Sequence, residues 1–164
     1  MSLTYELKQY SKRTNKEVND FVADLDNMLT MKEATIWEGG PGIGKFYILK
    51  QILADKGCNV LYKNFTSLEL YSGTGSDIDS IFSEAKKKEP CILVFDEFDL
   101  YSIARADDNS YTKKALRRIV DNTIRLKSQP VSVIFVGDRI SDKISSTYMK
   151  YLEEPRIVHI ELGK

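Results

Sequence analysis

Apolar residues in this chain follow two patterns that alternate. Within residues 15–29, Val18, Phe21, Val22, Leu25, Met28 and Leu29 recur three or four positions apart, with Lys, Asp and Glu between them. That spacing predicts an amphipathic helix laid on the body of a domain, with a partner-binding helix as the alternative. Residues 34–38 read as a short buried strand. Residues 46–53 begin a helix that runs to about Lys56 and ends at Gly57. Residues 58–62 read as a second strand, and 67–76 as a linker containing Gly73 and Gly75. Ile78, Ile81, Phe82 and Ala85 mark a helix that Ser76 or Asp77 can cap and that Pro90 stops. Residues 91–95 and 131–136 are unbroken apolar runs, the mark of strands covered on both faces. Between them Leu116, Ile119, Val120, Thr123 and Ile124 mark another helix. A short helix at about 143–152 and a strand over 157–162 close the pattern.

Strands alternating with helices imply an α/β fold, a parallel sheet with helices on both faces. The 164 residues suffice for one domain with a full core. The expected division is an N-terminal amphipathic segment, 1–30, followed by one α/β domain over 31–164. Lys and Arg number 24 against 24 Asp and Glu, so no general attraction draws the chain to nucleic acid or to an anionic membrane. No apolar run is long enough to span a bilayer, and residues 1–15 lack the apolar core of a signal peptide. Cytoplasmic localisation is the expectation. Cys58 and Cys91 lie in or beside expected strands and read as buried free thiols of a reducing compartment. One His and two separated Cys do not make a zinc site by spacing.

The chemistry begins at Gly39-Gly40-Pro41-Gly42-Ile43-Gly44-Lys45-Phe46, which follows G-x-x-x-x-G-K, the phosphate-cradling loop, up to its last position. The glycines let the loop curl with positive φ and bring backbone N–H groups against an anion. Lys45 supplies a point charge for the outer phosphates, and the helix beginning there aims its positive end at the same place. A strand before the loop and a helix after it supply the context this motif needs. Gly40, Pro41, Gly42, Ile43, Gly44, Lys45 and Phe46 are therefore the candidate nucleotide-binding residues. A second motif, Ile92-Leu93-Val94-Phe95-Asp96-Glu97, is an apolar strand ending in two carboxylates. In a nucleotide hydrolase Asp96 would hold Mg²⁺ and Glu97 would orient and polarise the attacking water. Ligands of parallel sheets bind at the carboxyl ends of strands, so these acids are expected to face the glycine loop.

Residues 76–105, with Phe82-x-x-Ala85-x-x-x-x-Pro90-Cys91 leading into Asp96-Glu97-Phe98-Asp99 and Arg105, resemble the AAA family of ATPases, as does Gly40-Pro41-Gly42-Ile43-Gly44-Lys45. The resemblance covers roughly residues 31–162. It implies a three-layer P-loop fold with a five-stranded parallel sheet in the order 5-1-4-3-2. It also implies ATP or ADP as ligand with Mg²⁺, a homo- or hetero-oligomeric ring, and a polypeptide client that the ring remodels or unfolds. The helical lid that follows in the family is not expected within these residues. Tyr71 falls where the family has a pore-lining aromatic; it either grips a polypeptide or is an exposed turn residue.

Three positions depart from the family pattern. Phe46 stands where the family has Thr or Ser, whose hydroxyl binds Mg²⁺, so metal binding and hydrolysis are expected to weaken. Asp138 stands where the family places a polar sensor, usually Asn. An ionised carboxylate cannot donate a hydrogen bond to a phosphate; the alternative is that Asp138 caps the next helix. Near the end, register on Ile160 puts Arg156 on the second arginine of the family's paired set and Glu153 on the first, the finger that reaches a neighbour's nucleotide. His159, on an alternating strand, reads as structural. The candidate catalytic set is Glu97, Lys45, Asp138 and Arg156, with Asp96 for metal. Two readings stand: an ATPase module of a protein-remodelling assembly, and a nucleotide-binding regulatory or structural subunit that does not hydrolyse. A small-molecule kinase would need an acceptor site, and the sequence offers none.

Overall fold

Two strands buried along all or nearly all of their length set the middle of a sheet. The computed structural model describes residues 5–26, 34–64, 76–98, 111–126, 129–143, 150, 152–153 and 155–163. Its strands are β1 (Thr35–Gly39), β2 (Val60–Asn64), β3 (Cys91–Asp96), β4 (Val131–Gly137) and β5 (Arg156–Ile160). β4 is buried along its whole length and β3 along all but Asp96, as their unbroken apolar sequences require. β2 and β5, more polar and more exposed, take the edges. The order is β2-β3-β4-β1-β5, with every pairing parallel. This is the expected five-stranded α/β arrangement, read from the opposite edge.

The helices are α1 (Lys12–Leu25), α2 (Lys45–Asp55), α3 (Ser76–Lys87), α4 (Tyr111–Arg125) and the short α5 (Ile140–Lys143). Alternate strand residues sort them onto two faces. Ile36, Leu93, Phe95, Val133 and Phe135 share one core cluster with Ile78, Phe82, Leu116 and Val120, which belong to α3 and α4. Phe135 stacks on Phe95 at 5.7 Å, and Phe98 meets it at 4.6 Å. Trp37, Ile92, Val94, Ile134 and Val136 point the other way, into a cluster with Val18, Phe21 and Val22 of α1 and Leu49, Ile52 and Leu53 of α2.

α1 begins earlier than its apolar stripe suggests. Ser11 is its N-cap, accepting a hydrogen bond from the Thr14 N–H. The segment before it is tied to the far end of the chain: Tyr10 bridges Leu162 in antiparallel fashion, and Ser11 N donates to Glu161 O at 2.9 Å. β2 lies two residues later than expected. The reason is that Cys58 N closes the end of α2 by donating to Leu53 O at 3.0 Å, so pairing starts at Val60 against Ile92. The short helix after β4 starts at Ile140, ahead of the expected 143. Cys91 is buried and Cys58 half-buried; both are free, and burial pushes both thiols up. Tyr71 and the polar stretch 105–110 lie outside the described residues. Among the described residues no helix is long and apolar enough to cross a membrane.

Candidate functional site

A cleft of about 510 Å³ opens at the carboxyl end of the sheet. Pro41, Gly42, Gly44, Lys45, Phe46 and Tyr47 form one wall; Asp96, Glu97, Gly137 and Asp138 form the other. The strand order explains the meeting. β1 delivers the glycine loop and β3 the acid pair, and β4, which carries Gly137 and Asp138 at its tip, runs between them.

The loop has the backbone its glycines predict. Gly42 and Gly44 hold φ of 75° and 82°, a region that costs any L-residue with a Cβ about 1–2 kcal/mol. Gly44 is the N-cap of α2, and intrahelical bonding starts with Ile48 N donating to Gly44 O at 3.0 Å. The N–H groups of Lys45, Phe46 and Tyr47 precede that bond, so they point out of the helix start toward an anion.

Three contacts outside the motif hold this loop. The Tyr10 hydroxyl donates to Ile43 O. Trp37 Nε1 donates to Lys45 O at 2.7 Å. Glu38, buried one residue before the loop, accepts from both Ser141 N (2.8 Å) and Ser141 Oγ, which ties β1 to the start of α5 just beyond Asp138. His159 Nε2 lies 3.4 Å from Glu38, and its Nδ1 lies 3.0 Å from Glu17, so the only histidine joins β5 to α1 and β1.

The Lys45 ammonium is mostly buried and pairs with Asp138 Oδ1 at 2.5 Å; it also lies 3.5 Å from Gly40 O. Asp96 accepts from the Glu97 N–H at 2.8 Å. Glu97 is exposed and sits at φ 54°, a left-handed turn just past β3. The turn is pinned by the next residue. Phe98 is buried against Phe135, and its N–H donates to Val136 O at 2.9 Å. Burial of that ring, worth about 2 kcal/mol, offsets the backbone strain at Glu97.

Phe46 turns its half-buried ring toward the core cluster of α2 and meets Tyr62 of β2 edge to face, centroids 5.8 Å apart. The Lys50 ammonium lies 5.5 Å from its centroid and 5.6 Å from that of Tyr62. The position therefore brings packing and no oxygen. Among the described residues no group of three His, Cys, Asp or Glu could hold a metal ion. The loop fits a nucleotide's phosphates. Asp96, on the opposite wall, is the residue that would hold a nucleotide's Mg²⁺ together with water and the phosphates, and Phe46 offers that ion no oxygen. Phe46→Thr is expected to remove the edge-to-face pair and lower stability by about 1–3 kcal/mol. It is also expected to raise Mg²⁺-dependent ADP affinity about tenfold, the worth of one good ligand. Thermal melts and titrations with and without Mg²⁺ check both; unchanged Mg²⁺ dependence would mean that position 46 faces away from the metal.

Arg156 is not part of this cleft. It opens β5 opposite Thr35, four residues from Gly39, or about 13 Å along the strand. Its guanidinium is paired with Asp24 of α1, and burial lowers its pKa. Glu153 is exposed in the turn before β5, at φ 55°. The structure thus brings Lys45, Asp96, Glu97 and Asp138 together and leaves Arg156 to a different surface. Sequence reasoning missed Tyr10, Trp37, Glu38 and Ser141. A carboxylate inside an apolar strand, directly before a glycine loop, was the one available signal, at Glu38.

Residues 35–160 match the family described as "ATPase family associated with various cellular activities (AAA)". The ATP-dependent zinc metalloprotease FtsH of Parabacteroides distasonis is 25% identical over 163 residues, covering 90% of this chain and 24% of that protein. The ATP-dependent zinc metalloprotease FTSH 11, chloroplastic/mitochondrial, of Arabidopsis thaliana is 34% identical over 84 residues, covering 50% of this chain and 10% of the relative. The peroxisomal ATPase PEX1 of Dictyostelium discoideum is 32% identical over 84 residues, half of this chain and 7% of that protein. The chain spans at most about a quarter of the length of these relatives.

Proposed function

This chain belongs to the AAA family of ATPases, and from that premise we propose that it is the nucleotide-binding module of an oligomeric, ATP-driven assembly that remodels a polypeptide client. The observation that carries the reading is the meeting of Lys45, Asp96 and Glu97 around one cleft at the sheet's carboxyl end. The amides of residues 42–47 cradle the phosphates, and Lys45 neutralises the outer ones. Glu97, exposed at the mouth, accepts a proton from a water that attacks the terminal phosphorus. The bond from that phosphorus to the bridging oxygen breaks, and ADP and phosphate leave. In a ring, Glu153 stands where the finger toward a neighbour's nucleotide would be and supplies no cation, while Arg156 keeps the second arginine's place and is paired with Asp24. The relatives named as ATP-dependent proteases and peroxisomal ATPases support a client-handling role. The expected setting is the cytoplasm, with residues 1–30 as a helical segment on the nucleotide-binding domain.

The second reading is a nucleotide-binding regulatory subunit without turnover. Phe46 in place of a hydroxyl, Asp138 in place of an amide and Glu153 in place of an arginine favour it. Steady-state phosphate release from ATP separates the two. The ATPase reading expects turnover that Glu97→Gln lowers at least about 100-fold, the scale of a lost general base, with ADP binding retained. ATP binding without turnover supports the regulatory subunit, and failure to bind any nucleotide contradicts both.

A further inference from the structure

We propose that Tyr10 is a positioning residue of the nucleotide site: its hydroxyl holds the Ile43–Gly44 peptide in the orientation that aims the Gly44 N–H into the phosphate cradle. The inference rests on the nucleotide-binding reading above. It brings into that site a residue from outside the span matched to the family, which begins at residue 35. The geometry that carries it is the hydrogen bond that the Tyr10 hydroxyl donates to Ile43 O, across 33 positions of sequence.

A peptide unit is planar, and in its trans form the C=O and the following N–H point to opposite sides of the chain. The peptide between Ile43 and Gly44 is trans. Whatever fixes Ile43 O therefore fixes the Gly44 N–H. Tyr10 belongs to the core cluster of α1 and α2, so it draws the carbonyl inward. The N–H is turned the other way, toward the cleft wall that Gly42, Gly44 and Lys45 line. Gly44 is left-handed, at φ 82° and ψ 18°, and the right-handed helix begins at Lys45. That change of hand makes successive N–H groups converge on one point, a nest for an anion. The Gly44 N–H is the first of the set, and a loose peptide would let it rotate away. The fit is close: a Cβ on Gly44 would stand 3.2 Å from the Tyr10 hydroxyl.

Tyr10 can do this because it is itself held. Its ring is buried in one cluster with Trp37, Ile48 and Ile160. Its backbone bridges Leu162, and Gly163 N donates to the neighbouring Gln9 O at 2.9 Å. Asn15 of α1 clamps the segment ahead of it, accepting from Leu7 N and donating to Leu7 O, both at 3.0 Å. The hydroxyl is thus fixed in space before a ligand arrives, which spares binding the cost of ordering the loop.

The test compares the full native chain with Tyr10→Phe, which keeps the ring in the core and removes only the hydroxyl. In calorimetric titrations the variant should bind ADP about tenfold more weakly, the scale of one hydrogen bond to a charged group. Amide resonance spectra without ligand should show the Gly44 signal moved by the substitution, while those of Gln9, Leu162 and Gly163 stay in place. ADP affinity within about threefold of the native value overturns the inference and leaves the nucleotide-binding module standing. So does weaker ADP binding in which the Gly44 signal keeps its native position and those of residues 161–163 move, because the effect then passes through the docking of the segment. A native chain that binds no ADP overturns the inference and the nucleotide-binding reading together.

Discussion

Lys45→Ala is expected to weaken ADP binding at least about 100-fold while the chain stays folded. The ammonium is the one cation among the described residues that line the cleft, and Asp96, Glu97 and Asp138 stand opposite it. Two unit charges about 4 Å apart are worth roughly 4 kcal/mol in the dielectric of a partly buried site, close to three decades in affinity. Removing Lys45 forfeits that attraction and leaves the loop amides alone to offset three carboxylates facing a polyanionic ligand. The fold should tolerate the change. The side chain of Asp138 is 44% exposed, so losing their ion pair costs at most about 1 kcal/mol. Alanine is the better helix former at the first position of α2, and that gain opposes the loss. Calorimetry with ADP, beside a thermal melt, checks both halves; unchanged affinity would defeat the assignment of the glycine loop.

Trp37→Ala is expected to be the most damaging single change in stability, costing about 3–5 kcal/mol. Trp37 is fully buried on the α1–α2 face of the sheet and meets Phe21 edge to face at 5.2 Å. Its removal opens a large cavity beneath both helices. For a chain of this size the midpoint should fall by about 6–20 °C, a large part of the margin of an ordinary domain. Trp37→Phe separates packing from polarity. It keeps most of the ring volume but loses the Nε1–H bond to Lys45 O, leaving the first turn of α2 less firmly held. It should cost about 1–2 kcal/mol and also weaken ADP binding, because that carbonyl belongs to the residue that carries the cleft's cation. Denaturant melts with ADP titrations on the surviving folded protein measure the two effects.

The fold was legible because its signals are local and redundant. The apolar runs of β3 and β4 name the central strands, and the helical stripes around Val18, Ile52, Phe82 and Ile119 name the helices that cover them. Strand order came through the resemblance carried by the glycine loop and the Asp96-Glu97 strand. What escaped depends on contacts between distant residues. Ser11 caps α1, but it sits in a polar stretch with Ser, Thr and Asn all nearby, so no single cap stands out. Val60 rather than Cys58 opens β2, because the turn that closes α2 consumes Cys58's N–H. At the site, Lys45, Asp96 and Glu97 could be placed from motifs alone. The pairing of Lys45 with Asp138, and the bracing of the loop by Tyr10, Trp37 and Glu38, could not. Each needs the parallel packing of β1 beside β4 and the return of residues 5–11 along the end of the chain.

The most direct test of a phosphate cradle at the carboxyl end of β1 is an amide nuclear-magnetic-resonance titration of the full chain with ADP. The loop and the first turn of α2 should respond together: the N–H signals of Gly40, Gly42, Gly44, Lys45 and Phe46 shift saturably, along with those of Glu97 and Asp138 across the cleft. Signals of Arg156 and Ile157, at the opposite end of the sheet, should stay in place. Saturable shifts confined to that opposite end, or an unperturbed loop at saturating ADP, would contradict the account.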